Sequence, residues 1–271
     1  MIDHHDGKTL LTIDHVSLSY GDKIILRDVN AEVREILRNE SKGQVVGFLG
    51  PSGMGKTQLF RIMAGLNRPT TGNVHLNGNV NWPVHAGEVG VVAQDYPLFN
   101  HRTVWSNLII AAKRKSNGDA AACVEGYLND FELYDKRHQY PMQLSGGQRQ
   151  RLAIIQQILC SSHFLLMDEP FSGLDMVMLE RTAALIQKIA NLDSLNTVIV
   201  VSHDVTTVCS VSDHVWLLGR ERDTEGNVIP GARIVETYDL VDRGLCWQPG
   251  IITQPQFLSF VAEVKNRFRT L

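Results

Sequence analysis

Gly50-Pro51-Ser52-Gly53-Met54-Gly55-Lys56-Thr57 follows the apolar run Val45 to Leu49 and precedes a stretch with helical periodicity. This is G-x-x-x-x-G-K-[ST] in the context its chemistry requires, between a buried strand and a helix. The glycines let backbone N–H groups turn onto phosphate oxygens at a helix N-terminus, whose dipole favours anions. Lys56 is then placed for the β- and γ-phosphates, and the Thr57 hydroxyl for Mg²⁺. All of residues Gly50, Pro51, Ser52, Gly53, Met54, Gly55, Lys56 and Thr57 enter the predicted phosphate cradle. A glycine-rich turn without a ligand is the plain alternative.

Working outward, Val89 to Ala93, Phe164 to Met167 and Val198 to Val201 are also short, continuous and apolar. Such runs are strands buried on both faces, as in a parallel sheet. Leu11 to Tyr20 and Ile24 to Val33 differ: they alternate imperfectly across Gly21-Asp22, which predicts an antiparallel pair. Helices are expected over 56–66, 103–114, 119–132, 146–160 and 176–191. Another starts at Pro255, with Phe257, Leu258, Val261, Val264 and Phe268 on one face. The long, mostly helical interval between the strands at 89 and 164 reads as a sub-lobe inserted into the sheet.

Two further strand ends carry polar groups. Phe164 to Met167 runs into Asp168-Glu169, which would set Asp168 at the ligand edge as a Mg²⁺ carboxylate and Glu169 as the group that orients or deprotonates a water; a strand followed by an acidic turn is the plain alternative. Val198 to Val201 runs into Ser202-His203-Asp204. A lone histidine there is more often structural, and it gains weight only because another strand end has already supplied the Mg²⁺ carboxylate. Leu144-Ser145-Gly146-Gly147-Gln148 opens a helix and forms a second anion-ready N-terminus. An ordinary helix cap by Ser145 is its plain reading.

Taken together, these motifs resemble the ATP-binding subunit of an ABC transporter. Gly50 to Thr57, Leu144 to Gln148, Asp168-Glu169, the loop Ser172-Gly173-Leu174-Asp175 and His203 occur in the family's order, and the match covers roughly residues 10 to 220. The resemblance implies an α/β P-loop NTPase fold with a RecA-like, mostly parallel sheet, an N-terminal antiparallel β subdomain and an inserted α-helical subdomain. It divides one ABC ATPase domain into an α/β core (10–95 and 162–240), a helical signature subdomain (96–161) and a short C-terminal helical tail (241–271).

The resemblance also implies ATP and Mg²⁺ as ligands, with Glu169, His203, Gln94 and Lys56 catalytic and Thr57, Gln94 and Asp168 around the metal. Tyr20 would stack on adenine, and Gln58 would stand near the α-phosphate. Ser145, Gly146, Gly147 and Gln148 would serve the ATP of a second subunit in a head-to-tail homodimer or heterodimer, with Asp175 at the seam. Partners follow from the same likeness: transmembrane permease subunits and, for an importer, a solute-binding protein. Gln94 to Val104 is similar to the corresponding stretch in importers of small polar solutes and ions. Export or lipid transport is the near alternative. A soluble ABC ATPase acting on nucleic acid or ribosomes is a more distant one, and a regulatory subunit without turnover is disfavoured by Glu169 and His203.

Four places depart from the family pattern. Gln58 replaces a second small hydroxyl residue, Arg34 to Lys42 is long and charged, Ile155-Gln156-Gln157-Ile158-Leu159 lacks the usual alanine and arginine, and Met176 stands where proline is common. Arg34 to Lys42 reads either as a solvated loop or as a partner contact anchored by Ile36 and Leu37.

Composition narrows the function classes. The chain has 271 residues, with 26 Lys plus Arg against 29 Asp plus Glu and a formal charge of −3. That balance argues against direct nucleic-acid binding, which needs a concentrated basic face. No apolar run approaches the ~20 residues of a spanning helix, and the N-terminus lacks the pattern of a secretory signal. A cytoplasmic location, peripheral on the inner face of the membrane, is therefore expected. Cys123, Cys160, Cys209 and Cys246 lie too far apart in sequence for a zinc knuckle or redox pair and are expected to be reduced, mostly buried thiols.

Overall fold

In the computed structural model, which describes residues 7–37, 42–115, 119–161, 163–248 and 250–271, the chain opens with β1 (Thr9–Tyr20) and β2 (Lys23–Arg34), paired antiparallel. β3 (Gln44–Leu49) then leads into α1 (Lys56–Met63). β4 (Thr71–Leu76) pairs with β1 and completes a three-stranded antiparallel sheet, β2-β1-β4. Sequence periodicity gives no sign of β4, because Thr71-Gly72-Asn73 interrupts its apolar pattern and only pairing with β1 makes it a strand.

After β5 (Gly90–Val92) come α2 (Val104–Lys115), α3 (Ala120–Asp130) and α4 (Gly146–Cys160), the helical insertion expected from the long interval. The chain returns through β6 (Phe164–Asp168), α5 (Met176–Ala190), β7 (Thr197–Ser202), α6 (Val205–Val211), β8 (His214–Gly219) and β9 (Arg233–Asp239), and ends with α7 (Pro255–Phe268). The second sheet runs β5-β6-β7-β3-β8-β9, parallel except for the antiparallel hairpin β8-β9. The fold is a P-loop, RecA-like α/β architecture with mixed sheets and helical subdomains.

The central strands show why their sequences lack alternation. Every residue of β3 and β7 is buried, yet successive side chains enter different cores. Val45, Leu49, Val198 and Val200 join the core under the helices, while Val46, Phe48, Ile199 and Val201 join the one under the antiparallel sheet and α1. Each such side chain contributes about 1.5–3 kcal/mol of burial, so a strand with two apolar faces is fixed in the middle of the sheet. Register aligns Leu49 with Ser202 and Asp168 with Val201, which brings the residues that follow β3, β6 and β7 to one edge.

Buried polar groups fasten the loops. Asn107 is fully buried; its Nδ2 donates to the carbonyls of Phe99, Arg102 and Thr103, and its Oδ1 accepts from Phe99 N–H. Four hydrogen bonds from one side chain thus hold the segment before α2. Asp213 accepts from Val45 N–H at 2.7 Å, at the base of the P-loop strand.

Several expectations need correction. Cys209 is the buried thiol, whereas Cys123 is exposed and Cys160 and Cys246 are half-buried. In α7 the inward positions are Phe257, Phe260, Val261 and Val264, and Leu258 faces solvent. Arg34 belongs to β2 and Ile36 is buried in its own chain, which removes Ile36 as an anchor for a partner; Leu37 is exposed. Residues 38–41 of that stretch lie outside the described residues. α6, which follows His203, is too short for periodicity to reveal.

Candidate functional site

The P-loop is built by backbone geometry. Gly53 and Gly55 have φ of +77° and +99°, values that L side chains rarely adopt, and Gly55 caps α1 without any side-chain acceptor. The helix therefore begins with N–H groups left for an anion. Lys56 folds back over the loop, its Nζ donating to Gly50 O at 2.6 Å and Pro51 O at 3.1 Å. Burial lowers its pKa, with the negative charge of Glu169 and Asp168 opposing that effect. Thr57 is exposed on the same turn.

β6 delivers the two carboxylates differently. Asp168, the last residue of the strand, is held above the usual carboxylate range by burial and then by the neighbouring charge of Glu169. Such a carboxylate gains from a nearby cation. Glu169 leaves the strand with φ +48°, a conformation that costs a bulky L residue about 1–2 kcal/mol and that swings its side chain toward β7. There Oε2 accepts from Ser202 Oγ at 2.7 Å, and Oε1 lies 2.8 Å from His203 Nδ1. The Glu169 backbone N–H also bonds Val201 O at 2.8 Å, fixing the turn.

Gln94 is exposed just after β5, and its Nε2 donates to Ser172 Oγ at 3.4 Å in the loop after Glu169. Tyr20, at the end of β1, is 54% exposed and donates to Gln58 Oε1 at 3.1 Å. Lys56, Asp168, Glu169, His203 and the loop bearing Gln94 thus gather at one sheet edge. Ser202, the second hydrogen-bond partner of Glu169, has one signal in the sequence, its place in Val201-Ser202-His203. Asn107, which holds the segment after Gln94, gives no signal in the sequence because its four partners come together only in the fold.

Ser145 is elsewhere. It caps α4 in a reciprocal box: Ser145 Oγ accepts from Gln148 N–H at 3.3 Å, and Gln148 Oε1 accepts from Ser145 N–H at 2.9 Å. Gly146 and Gly147 form the first turn beside it. The adjoining cleft, about 590 Å³, is lined by Ser145, Gly147, Glu132, Arg151, Met178 and Arg181 among others, and by no residue of the P-loop. Asp175 caps α5 by accepting from Met178 N–H at 2.9 Å.

The first-edge residues suit a Mg²⁺ nucleotide. An uncapped helix start with left-handed glycines accommodates phosphates, and the Thr57 hydroxyl, the Gln94 amide and the half-buried Asp168 carboxylate offer the hard oxygen donors Mg²⁺ prefers. When bound, the ion would neutralise phosphate charge. Fold and site define a P-loop NTPase domain.

Comparison with known proteins narrows this class. Residues 35–172 match the family model described as ABC transporter. A sulfate/thiosulfate import ATP-binding protein of Mesostigma viride is 33% identical over 216 residues, covering 78% of this chain and 60% of that protein. A spermidine/putrescine import ATP-binding protein of Protochlamydia amoebophila is 32% identical over 212 residues, covering 77% and 55%. In fold, the chain is similar to cbiO1 of Clostridium perfringens, described as part of an ABC transporter complex, with a TM-score of 0.70 and 21% identity over 88% of this chain and 91% of that one. The chain belongs to the ABC transporter family, as an ATP-binding subunit. It spans 60% and 55% of the length of the two curated relatives. Among the described residues, no helix is long and apolar enough to cross a membrane.

Proposed function

We propose that this chain hydrolyses Mg·ATP and drives import of a small polar solute or ion through separate permease subunits. The observation that carries the hydrolytic reading is the pair of contacts on Glu169, from Ser202 and His203, beside Lys56 and Asp168. A carboxylate held at both oxygens cannot rotate freely, so it can orient a water and accept its proton. Lys56 leaves its two carbonyls for the phosphates, and Thr57, Asp168 and Gln94 are the groups for the metal. His203 lies beside Glu169 for contact with the γ-phosphate.

The import reading is supported by the likeness to a sulfate/thiosulfate and a spermidine/putrescine import ATP-binding protein. Ser145, Gly146, Gly147 and Gln148 act in trans on the ATP of a second subunit, because their cleft shares no residue with the P-loop of the same chain. Residues 10–95 and 162–240 work as the nucleotide core, 96–161 as the helical lobe that meets the permease, and 241–271 as a tail braced on α6. The expected place of action is the cytoplasmic face of the membrane.

Glu169→Gln tests the hydrolytic reading. The variant should bind ATP like the parent, lose turnover by at least about a hundredfold and accumulate as a closed dimer. Near-parental turnover would remove Glu169 from the mechanism.

A further inference from the structure

Gln58 occupies the residue after Thr57, where the resemblance leads one to expect a short hydroxyl side chain, and its amide is engaged. Gln58 Oε1 accepts from Tyr20 Oη at 3.1 Å and from Asn67 Nδ2 at 3.2 Å, and Asn67 Nδ2 also lies 3.2 Å from Tyr20 Oη. Three elements meet in this triangle: the end of β1, the first turn of α1 and the loop after α1. Serine or threonine at position 58 is too short to reach the phenol.

We propose that Gln58 is a positioning residue that sets the Tyr20 ring for the nucleobase, joining base recognition to the phosphate cradle through one side chain. The inference rests on the reading that residues 50–57 hold phosphates and Tyr20 stacks on the base. Tyr20 is more than half exposed, so without its tie the ring would sample several rotamers and lose that freedom on binding. Holding it beforehand transfers the ordering cost from the binding step to the fold. Gln58 is well placed for this because it stands one residue from Thr57 on a helix that the P-loop fixes. Among the described residues, the Gln58 Nε2 group has no protein partner, so the amide keeps two donors while its oxygen holds the ring.

The test compares equilibrium binding of ATP and of inorganic tripolyphosphate, both with Mg²⁺, to the full chain and to Gln58→Met, Tyr20→Phe, the double variant and Tyr20→Ala. Tripolyphosphate reads the cradle alone, and Tyr20→Phe keeps the ring while removing its hydroxyl. Gln58→Met and Tyr20→Phe should each weaken ATP about three- to tenfold and change tripolyphosphate by less than about twofold, as expected for one or two neutral hydrogen bonds. The double variant should be no worse than Tyr20→Phe alone, because losing the hydroxyl already removes the tie to Gln58. Equal weakening of both ligands by Gln58→Met, unchanged ATP affinity, or additive losses in the double variant would each overturn the proposal. Tyr20→Ala separates it from the reading beneath. A selective ATP loss of about 5- to 150-fold there, with Gln58→Met silent, sinks only the positioning role, whereas unchanged ATP affinity in Tyr20→Ala sinks the base-stacking assignment.

Discussion

Gly47 lies in the middle of β3, with its face turned to α6, and the space beside it is already filled. A Cβ added there would sit 2.6 Å from Ser212 Oγ and 3.2 Å from Val215 Cγ2, and closer still to Val208 Cγ1 on α6. Gly47→Ala therefore forces α6 away from β3 or drives Val208 from its rotamer. Overpacking of this kind costs about 1–3 kcal/mol, offset by at most ~0.5–1 kcal/mol from the reduced backbone freedom of the unfolded chain. The net loss of about 1–2 kcal/mol corresponds to a melting temperature lower by roughly 2–4 °C for a chain of this size. Thermal unfolding without nucleotide measures it. Val208→Ala alone should also destabilise, by opening a cavity, but the double variant should recover at least about 1 kcal/mol relative to the sum of the single ones. An unchanged melting temperature in Gly47→Ala, or strictly additive losses, would refute the reasoning. So would loss of ATP binding at full stability, since α6 follows His203 rather than forming the P-loop.

Other consequences follow from the site. Asp168 has its folded pKa raised by burial and by Glu169. As pH rises from below the carboxylate range, the unfolded chain releases this proton first, so stability falls until the folded value is passed. Asp168→Asn removes that penalty: in unfolding measurements without nucleotide, its stability advantage over the parent should grow across that window and persist at neutral pH, while Mg²⁺-dependent turnover is lost. A variant less stable than the parent at pH 7 would contradict this. Mixing Ser145→Arg subunits with Lys56→Ala subunits should give dimers with one doubly damaged and one intact site, and nucleotide stoichiometry no better than in either homodimer would end the trans assignment. Burial pushes the Cys209 thiol up to about 12. Alkylation followed by mass spectrometry at pH 8 should therefore label exposed Cys123 in the native protein and Cys209 only after unfolding; early labelling of Cys209 would show that α6 opens readily.

Much of this molecule was legible before its fold. The P-loop is a local object: glycine spacing, a lysine and a hydroxyl lie in one octapeptide between a strand and a helix, and each requirement is met by near neighbours in sequence. The buried strands were legible for a related reason, since residues apolar on both faces leave an uninterrupted run. The likeness carried by Gly50 to Thr57, Leu144 to Gln148 and Asp168-Glu169 gave the architecture. What depended on distant pairing stayed hidden. β4 exists through its bonds to β1, Asn107 acts through carbonyls on a loop, and Phe260 rather than Leu258 faces the core because α7 settles on α6 at one angle among several its apolar residues allow. The hold of Ser202 and His203 on Glu169 spans more than thirty residues, and the meeting of Tyr20, Gln58 and Asn67 spans three elements. Glycine freedom and apolar patterning act between neighbours along the chain, so sequence displays them. Side-chain hydrogen bonds between strand ends arise only when sheet register brings those ends to a common edge, and that register was decided by the packing of two cores around β3.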